Sequence, residues 1–341
     1  MSCNDDTDHR NDSTETKTNT THRRRNVLKT VGTMAAALPV IGTTAAAAET
    51  TVDMVADQGC DPNGTEPCDE KVRSAAGSGK LLQFPAGTYR FERENPLMGV
   101  NDFGIRGEGD VTFTVPSGFD GKILTISGGD SLTVENVTVD QSADGATPGL
   151  QFGARRDLTV SNVDFAGQGI HPDSGPRGSG GNPPVTNALS LAVLGDGGTG
   201  TITNVTARNG GLMGAYNQGK GRAGIWVGAR HSGTLTLSNC RMSGFPNNGV
   251  YASRTSGTVQ IEGGTYRNND ISQVRIGSSG SYVEGATIEV SPAQSNSPNP
   301  QQALNQRGVW LEGELDAGRA VRNCSIDVGS APQTAGKIVE Q

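Results

Sequence analysis

The stretch Leu235-Thr236-Leu237-Ser238-Asn239-Cys240-Arg241-Met242 decides the fold of this chain. Apolar and polar residues alternate before Asn239 and again after it, which is the period of two short β-strands joined by a sharp bend. Asn and Gly tolerate the positive φ angle that such a bend requires. The same pattern recurs along the chain with one of these two residue types at the bend. The bends fall at Asn136, Asn162, Asn204, Asn239, Gly263, Gly285 and Asn323, which lie 22 to 42 residues apart.

A third short strand precedes each new copy of the pattern, as in Ile225-Trp226-Val227 and Val274-Arg275-Ile276. Three strands per repeat, with a fixed bend and occasional insertions, indicate a solenoid. An antiparallel sandwich also has closely spaced strands, but it does not explain an Asn at the same point of successive repeats. The sequence therefore predicts an all-β protein, a single-stranded right-handed parallel β-helix. The 49 Gly and 16 Pro among 341 residues agree with a fold rich in turns.

Two motifs ahead of the repeats resemble a known family. Gly59-Cys60-Asp61-Pro62-Asn63-Gly64 and Phe84-Pro85-Ala86-Gly87-Thr88-Tyr89 are similar to the entry segment of the pectate-lyase-like superfamily, except that Cys60 replaces an Ala. The resemblance covers most of residues 55 to 328. It implies a pectin-lyase-like solenoid with a short N-terminal capping helix, expected over residues 67–76 with Pro67 in the first helical position. It identifies an architecture and does not fix a reaction.

The N-terminal residues resemble an export signal. Arg24-Arg25-Asn26-Val27-Leu28-Lys29 fits the twin-arginine pattern, and the apolar run after it ends in four Ala residues at 45–48. The sequence thus predicts an extracellular protein with no membrane anchor in the mature chain. The expected organisation is a twin-arginine signal peptide (1–48), an N-terminal cap with the first strands (49–95), β-helix repeats (96–328) and a C-terminal tail (329–341).

The charge of the chain bears on its partners, and the positions of its cysteines bear on disulfide bonding. The net charge is −7, and no basic cluster is present, so a nucleic-acid partner is not expected. The acid excess and scarce Lys resemble secreted proteins of salt-loving archaea. Cys60 and Cys68 are expected to form a disulfide in an exported chain. Cys240 and Cys324 occupy the same inward position of coils three steps apart, too far for a bond, and are predicted to be buried free thiols.

The third strand of each repeat carries the candidate binding surface. Aromatic faces offer flat apolar area to sugar rings, and Arg pairs with uronate carboxylates. The first strands show instead a row of polar residues, namely Thr133, Thr159, Thr203, Thr236 and Gln260. The outward positions of the third strands are predicted to be Gln151, Ser190, Trp226, Tyr251, Arg275 and Trp310. The candidate substrate-binding residues are Trp226, Tyr251, Trp310, Arg267 and Asn248.

Candidate catalytic residues come from the third strands and the long loops that precede them. A polysaccharide lyase needs a cation that neutralises a uronate and a base that removes a proton. A glycoside hydrolase needs two carboxylates, and the predicted groove strands offer only Glu312. Asp270 with loop carbonyls could bind Ca²⁺, although no acidic cluster is visible, so no cofactor is predicted firmly and the metal site stays unknown. The candidate catalytic residues are Arg275, Asp270, Lys220, Arg222 and His171.

These observations predict an exported protein that acts on or binds an extracellular polysaccharide, which could be acidic. A polyuronate lyase is favoured over a glycoside hydrolase of the polygalacturonase type. The alternative from another class is a non-catalytic carbohydrate-binding or adhesion module. Convergence of Arg275 and Asp270 with Lys220 or Arg222 in one cleft would favour the enzyme, and scattered side chains the binding module. The polysaccharide, its linkage and the oligomeric state are left open.

Overall fold

A computed structural model describes residues 50–170, 186–211, 221–291, 306–313, 318–329 and 334–340. The predicted signal peptide and the candidate residues His171 and Lys220 lie outside these ranges. The described chain forms 23 strands and one helix, in the order β1 (Thr50–Asp53), β2 (Asn63–Pro67), α1 (Asp69–Ala75), β3 (Lys80–Arg90), β4 (Asn95–Met98), β5 (Phe103–Thr114), β6 (Asp120–Asp140), β7 (Thr147–Ala166), β8 (Leu189–Val193), β9 (Thr199–Thr203), β10 (Thr206–Ala207), β11 (Ile225–Val227), β12 (Thr234–Ser238), β13 (Arg241–Ser243), β14 (Val250–Ala252), β15 (Thr258–Glu262), β16 (Thr265–Arg267), β17 (Ser272–Ile276), β18 (Tyr282–Glu284), β19 (Thr287–Glu289), β20 (Gln306–Leu311), β21 (Ala320–Arg322), β22 (Ser325–Asp327) and β23 (Thr334–Glu340).

Every strand pairing among these residues is parallel, and each strand pairs with its equivalent in the next coil. The first-strand sheet contains β9, β12, β15, β18 and β21 in that order. The second-strand sheet contains β10, β13, β16, β19 and β22. The third-strand sheet contains β8, β11, β14, β17, β20 and β23. The long strands β6 and β7 bend through all three sheets, so the chain is the predicted right-handed parallel β-helix.

The bends between first and second strands have the predicted left-handed conformation. Asn136, Asn162, Asn204 and Asn239 have φ angles of 53° to 58°. Their side chains form a ladder, because the last three amides each donate to the Asn one coil earlier over 2.9, 3.1 and 2.8 Å in chain order. Gly263 and Gly285, with φ of 65°, continue the line of bends. Asn therefore supplies both the backbone conformation and a hydrogen bond between coils.

Apolar side chains fill the interior in stacks of equivalent residues. One stack in the first-strand sheet runs through Val160, Ile202, Leu237 and Ile261, all of them fully buried. The third-strand sheet adds similar stacks on its inner side. Each such side chain contributes about 1.5–3 kcal/mol by leaving water. In strands such as β12 and β15, buried residues alternate with residues that face outwards.

The N-terminal end of the solenoid carries α1, close to the expected position. The helix begins at Asp69 with Cys68 as its N-cap, whereas Pro67 is the last residue of β2 and not the first helical residue. Pro67 is tolerated at this position because it has no backbone N–H to donate, and a strand at the edge of a sheet leaves some N–H groups without a strand partner. The predicted disulfide joins Cys60 and Cys68, with Cα atoms 5.5 Å apart. Within the described chain, no helix is long and apolar enough to cross a membrane.

Three further details differ from the sequence expectations. Thr201, not Thr203, continues the row from Thr159 to Thr236, because members of the row lie three residues before the bend, whereas Thr203 directly precedes Asn204. Cys240 is buried and free as predicted, whereas the free Cys324 is only half-buried. It precedes β22, which stacks on β19 alone among the described strands. β23 lies within the predicted tail and extends the third-strand sheet.

Candidate functional site

The predicted outward row of the third-strand sheet is confirmed by the strand register. Gln151 pairs with Ser190, Ser190 with Trp226, and Trp226 with Tyr251. The row continues through Arg275 to Trp310. Consecutive members therefore lie one strand spacing apart, about 4.8 Å. The two Trp residues of the chain, one Tyr and one Arg share a face.

Arg275 is held between two aromatic rings of this row. Its guanidinium carbon lies 4.5 Å from the ring centre of Tyr251 and 3.6 Å from that of Trp310. The guanidinium also forms a two-point ion pair with Glu312, through Nε at 2.8 Å and through Nη2. The Arg275 side chain is only 8% exposed. Arg275 is thus already neutralised by a protein carboxylate, the partner that a uronate would otherwise supply.

Glu312 is kept ionised by its surroundings. Burial alone would raise the pKa of its carboxyl, but hydrogen bonds from Arg275 and Ser253 and the charges of Arg275 and Arg254 together hold the pKa below its ordinary value. A carboxyl with a lowered pKa is a poor general acid near neutral pH. Glu312 therefore serves as an anchor for Arg275 in this arrangement.

A second cation also packs on the ring of Trp310. The guanidinium carbon of Arg307 lies 3.9 Å from the ring centre of Trp310. Burial lowers the pKa of Arg307, and the nearby charge of Arg275 lowers it further. Cation–π contacts of this kind stabilise the packing of the row. The Trp310 end of the row is thus a closed stack.

The Trp226 end of the same row is open. Trp226 is 37% exposed and borders a cleft of about 180 Å³. The floor of the cleft is built from small residues of three coils, Gly153, Ala192 and Gly228. A Cβ atom at Gly228 would lie 3.0 Å from the indole ring, so Gly there lets the ring lie against the strand. The cleft is lined by Ser127, Gln151, Phe152, Gly153, Ser190, Leu191, Ala192, Leu194, Trp226, Gly228, Ala229 and Arg230.

Two candidate catalytic residues lie inside the coil stack. Arg222 is fully buried and donates to the Gln141 side chain at 2.8 Å, to the Gly210 carbonyl at 3.0 Å and to the Pro148 carbonyl. Asp270 is also fully buried, at the corner before β17. A substrate on the surface cannot reach side chains placed in this way. The structure therefore does not bring Arg222 and Asp270 into an open cleft with Arg275.

Two candidate substrate-binding residues are also placed away from the groove surface. Asn248 is fully buried, where it accepts a hydrogen bond from Ser272 and donates to Asn247 at 2.6 Å. Its amide thus links the side chains of Asn247 and Ser272 inside the protein. Arg267 is exposed, but it ends β16 and so lies on the second-strand sheet. Of the predicted binding residues, Trp226, Tyr251 and Trp310 share the groove face.

Metal binding finds no support in the described part of the chain. Among those residues no three His, Cys, Asp or Glu side chains come together in a way that could hold an ion. Asp270, suggested for Ca²⁺ together with loop carbonyls, is fully buried and is not part of such a cluster of described residues.

Sequence reasoning located the row but missed the cleft and the partner of Arg275. The signal for the cleft was the small residue two places after the outward residue of a third strand, as in Trp226 and Gly228. The signal for the partner was Glu312, which follows Trp310 by the same two places and so faces the same way.

The fold is similar to that of solved polysaccharide-active proteins. A 1,3-alpha-1,4-beta-D-galactose-4-sulfate-3,6-anhydro-D-galactose-2-sulfate 4 galactohydrolase superimposes with a TM-score of 0.52 and 11% identity over 87% of this chain and 92% of that chain. An iota-carrageenase complexed to iota-carrageenan fragments gives a TM-score of 0.45 and 17% identity over 72% of this chain and 56% of that chain. No protein-family model matches the chain, and neither does a curated protein sequence. At these identities the likeness defines the β-helix architecture and leaves ligand and reaction open.

Proposed function

We propose that this protein is an exported polysaccharide-binding β-helix protein whose ligand lies along the third-strand sheet. The observation that carries the proposal is the exposed indole of Trp226 beside the open cleft. A flat aromatic ring next to a floor of small residues suits the apolar face of a sugar ring. The galactohydrolase of similar fold, named for a sulfated saccharide, is consistent with a saccharide ligand.

The polar groups at the two ends of the cleft can orient a sugar unit that is bound there. Its floor follows the solenoid axis, because Gly153, Ala192 and Gly228 belong to successive coils. Gln151 and Ser127 supply an amide and a hydroxyl at one end, and Arg230 supplies an exposed guanidinium at the other. Such polar groups fix the orientation of a ligand that stacking alone would leave free to rotate.

A binding function is favoured over catalysis because the described candidate catalytic residues are paired or buried. Arg275 is paired with Glu312, and Arg222 and Asp270 are fully buried. None of the three is presented to a ligand on the sheet. The alternative is a lyase that uses His171 or Lys220, and measuring binding and product formation in the same samples distinguishes the two functions.

Export belongs to the same proposal. The twin-arginine pattern at 24–29 supports it, and so does the Cys60–Cys68 disulfide, because such bonds persist in oxidising compartments. An origin in a salt-loving organism is proposed from the acidic, Lys-poor composition.

The proposal is tested with mature protein and a panel of neutral, uronate and sulfated polysaccharides in high salt. Binding is measured by affinity electrophoresis, and ultraviolet absorbance of unsaturated uronates and new reducing ends report catalysis in the same samples. Trp226→Ala is expected to weaken binding about 10-fold, since aromatic contacts contribute about 0.5–1.5 kcal/mol beyond their area burial and about 1.4 kcal/mol is tenfold.

Trp226→Phe, which keeps a flat ring, is the matched control and should retain most of the affinity. Retention of full affinity by the Ala variant would place the ligand elsewhere and overturn the proposal. Formation of unsaturated uronates or new reducing ends would show that the protein is an enzyme that acts on that polysaccharide.

A further inference from the structure

Three Arg side chains meet in a second pocket, on the outer face of the second-strand sheet. Arg208, Arg241 and Arg267 border a depression of about 330 Å³ together with Met242, Ser243 and Thr265. All three Arg residues are exposed. This sheet is separate from the third-strand sheet that carries Trp226. The pocket is therefore distinct from the cleft described above.

Strand register explains why the three cations converge. Arg208 directly follows β10, whose pairing with β13 places it opposite Ser243. Ser243 pairs in turn with Arg267 on the next coil. Arg241 precedes Ser243 by two residues and so faces the same side. The Ser243 hydroxyl thus has an Arg on each neighbouring coil and a third on its own strand.

The carboxylates near this pocket lie at its two edges. Arg267 forms an ion pair with Glu289 at 3.1 Å, and both side chains are about half exposed. Burial raises the pKa of Asp164, and the charge of Arg208 opposes that rise. No carboxylate of the described residues forms an ion pair with Arg241. Exposed pairs contribute at most about 1 kcal/mol, so a well-placed anion can compete with them.

We propose that this arginine pocket binds an anionic group of a saccharide, either a sulfate ester or a carboxylate. Guanidinium groups bind both in a two-point manner, and the Ser243 and Thr265 hydroxyls can donate to a further oxygen. In a chain of net charge −7, the pocket concentrates positive charge where acidic residues would otherwise repel such a ligand. The identification of the ligand as a saccharide rests on the proposed function, whereas the anion site does not.

The experiment measures binding of dextran sulfate, polygalacturonate and neutral dextran of equal length by calorimetry. The test variant is Arg208→Gln/Arg241→Gln/Arg267→Gln. The control is Arg93→Gln/Arg155→Gln/Arg156→Gln, which removes three exposed positive charges elsewhere. The test variant is expected to bind an anionic polymer at least about 10-fold more weakly, while the control stays within about 3-fold. Binding by the natural protein should also weaken as salt rises.

The outcomes separate this site from the groove. If the control loses as much affinity as the test variant, or if neither anionic polymer binds more tightly than neutral dextran, the proposal is overturned. Preference for dextran sulfate identifies sulfate esters, and preference for polygalacturonate identifies carboxylates. The loss of anionic-polymer affinity caused by the triple Gln substitution should be the same with and without Trp226→Ala, so failure of the groove and failure of the pocket give different results. Arg241→Gln alone, with thermal unfolding as the folding check, replaces the triple variant if the latter does not fold.

Discussion

Replacement of Glu312 by Gln probes the contact that takes Arg275 out of ligand binding. Glu312 accepts two hydrogen bonds from Arg275 and one from Ser253. Gln keeps the size of the side chain and removes its charge. Arg275 would then remain between Tyr251 and Trp310 without a carboxylate partner.

The size of the effect follows from the burial of the pair. Breaking a fully buried ion pair costs about 3–5 kcal/mol, and losing an exposed one costs about 0–1 kcal/mol. The Arg275 side chain is 8% exposed and that of Glu312 is 26% exposed. We therefore expect Glu312→Gln to lower the free energy of unfolding at neutral pH by about 2–3 kcal/mol.

The stability difference caused by Glu312→Gln is also expected to depend on pH. Because the folded-state pKa of Glu312 is lowered, its stabilisation is complete above the unfolded pKa of about 4.3 and is lost as pH falls below that value. Urea unfolding at neutral and acidic pH, followed by circular dichroism, measures both quantities. The difference between natural protein and Glu312→Gln should shrink as the pH falls.

The matched control is Glu289→Gln, because Glu289 pairs with Arg267 on the exposed second-strand sheet. It should change stability by less than about 1 kcal/mol. Equal effects of the two substitutions, or a Glu312→Gln effect that does not depend on pH, would refute the assignment of Arg275 to a closed ion pair.

Three other predictions concern the fold. Asn204→Ala should lower the free energy of unfolding by about 2–3 kcal/mol, through two ladder hydrogen bonds and a positive φ, whereas Asn204→Gly should lose less because Gly accepts that φ; urea titration compares them. Burial lowers the pKa of His231, so stability should fall as pH drops below about 6.5, and His231→Asn should flatten that part of the profile in thermal melts. Reduction of the Cys60–Cys68 disulfide, which closes a short loop of sequence separation 8, should cost about 2–3 kcal/mol, measured as a shift in the urea midpoint on adding reductant; an unchanged midpoint would contradict it.

The direction of side chains could be predicted from the sequence, because alternation and the fixed bend determine it. The row from Gln151 to Trp310 follows from these two features alone. The prediction at Thr203 is wrong by two residues, since the rest of its row lies three residues before the bend, where this coil has Thr201. Local pattern therefore predicts the face of the sheet on which a residue lies.

What packs over an outward residue could not be predicted in the same way. Arg275 faces outwards but is covered, because aromatic rings of both neighbouring coils and a carboxylate of the following turn converge on it. Arg222 and Asp270 lie in corners between strands, where the period of two no longer indicates burial. These contacts join residues from different coils, and their geometry depends on loop shape more than on local sequence.

Stacking of a saccharide on Trp226 can be measured directly, because the chain has only two Trp residues. Trp310→Phe leaves Trp226 as the single indole, and Trp226→Phe leaves the ring that Arg275 and Arg307 cover. Oligosaccharides of the polymer that binds are titrated against both variants while tryptophan emission is recorded. We expect a saturating change of emission in the protein that retains Trp226 and little change in the other. A saturating change confined to the protein that retains Trp310, or binding by calorimetry without any change from Trp226, would contradict it.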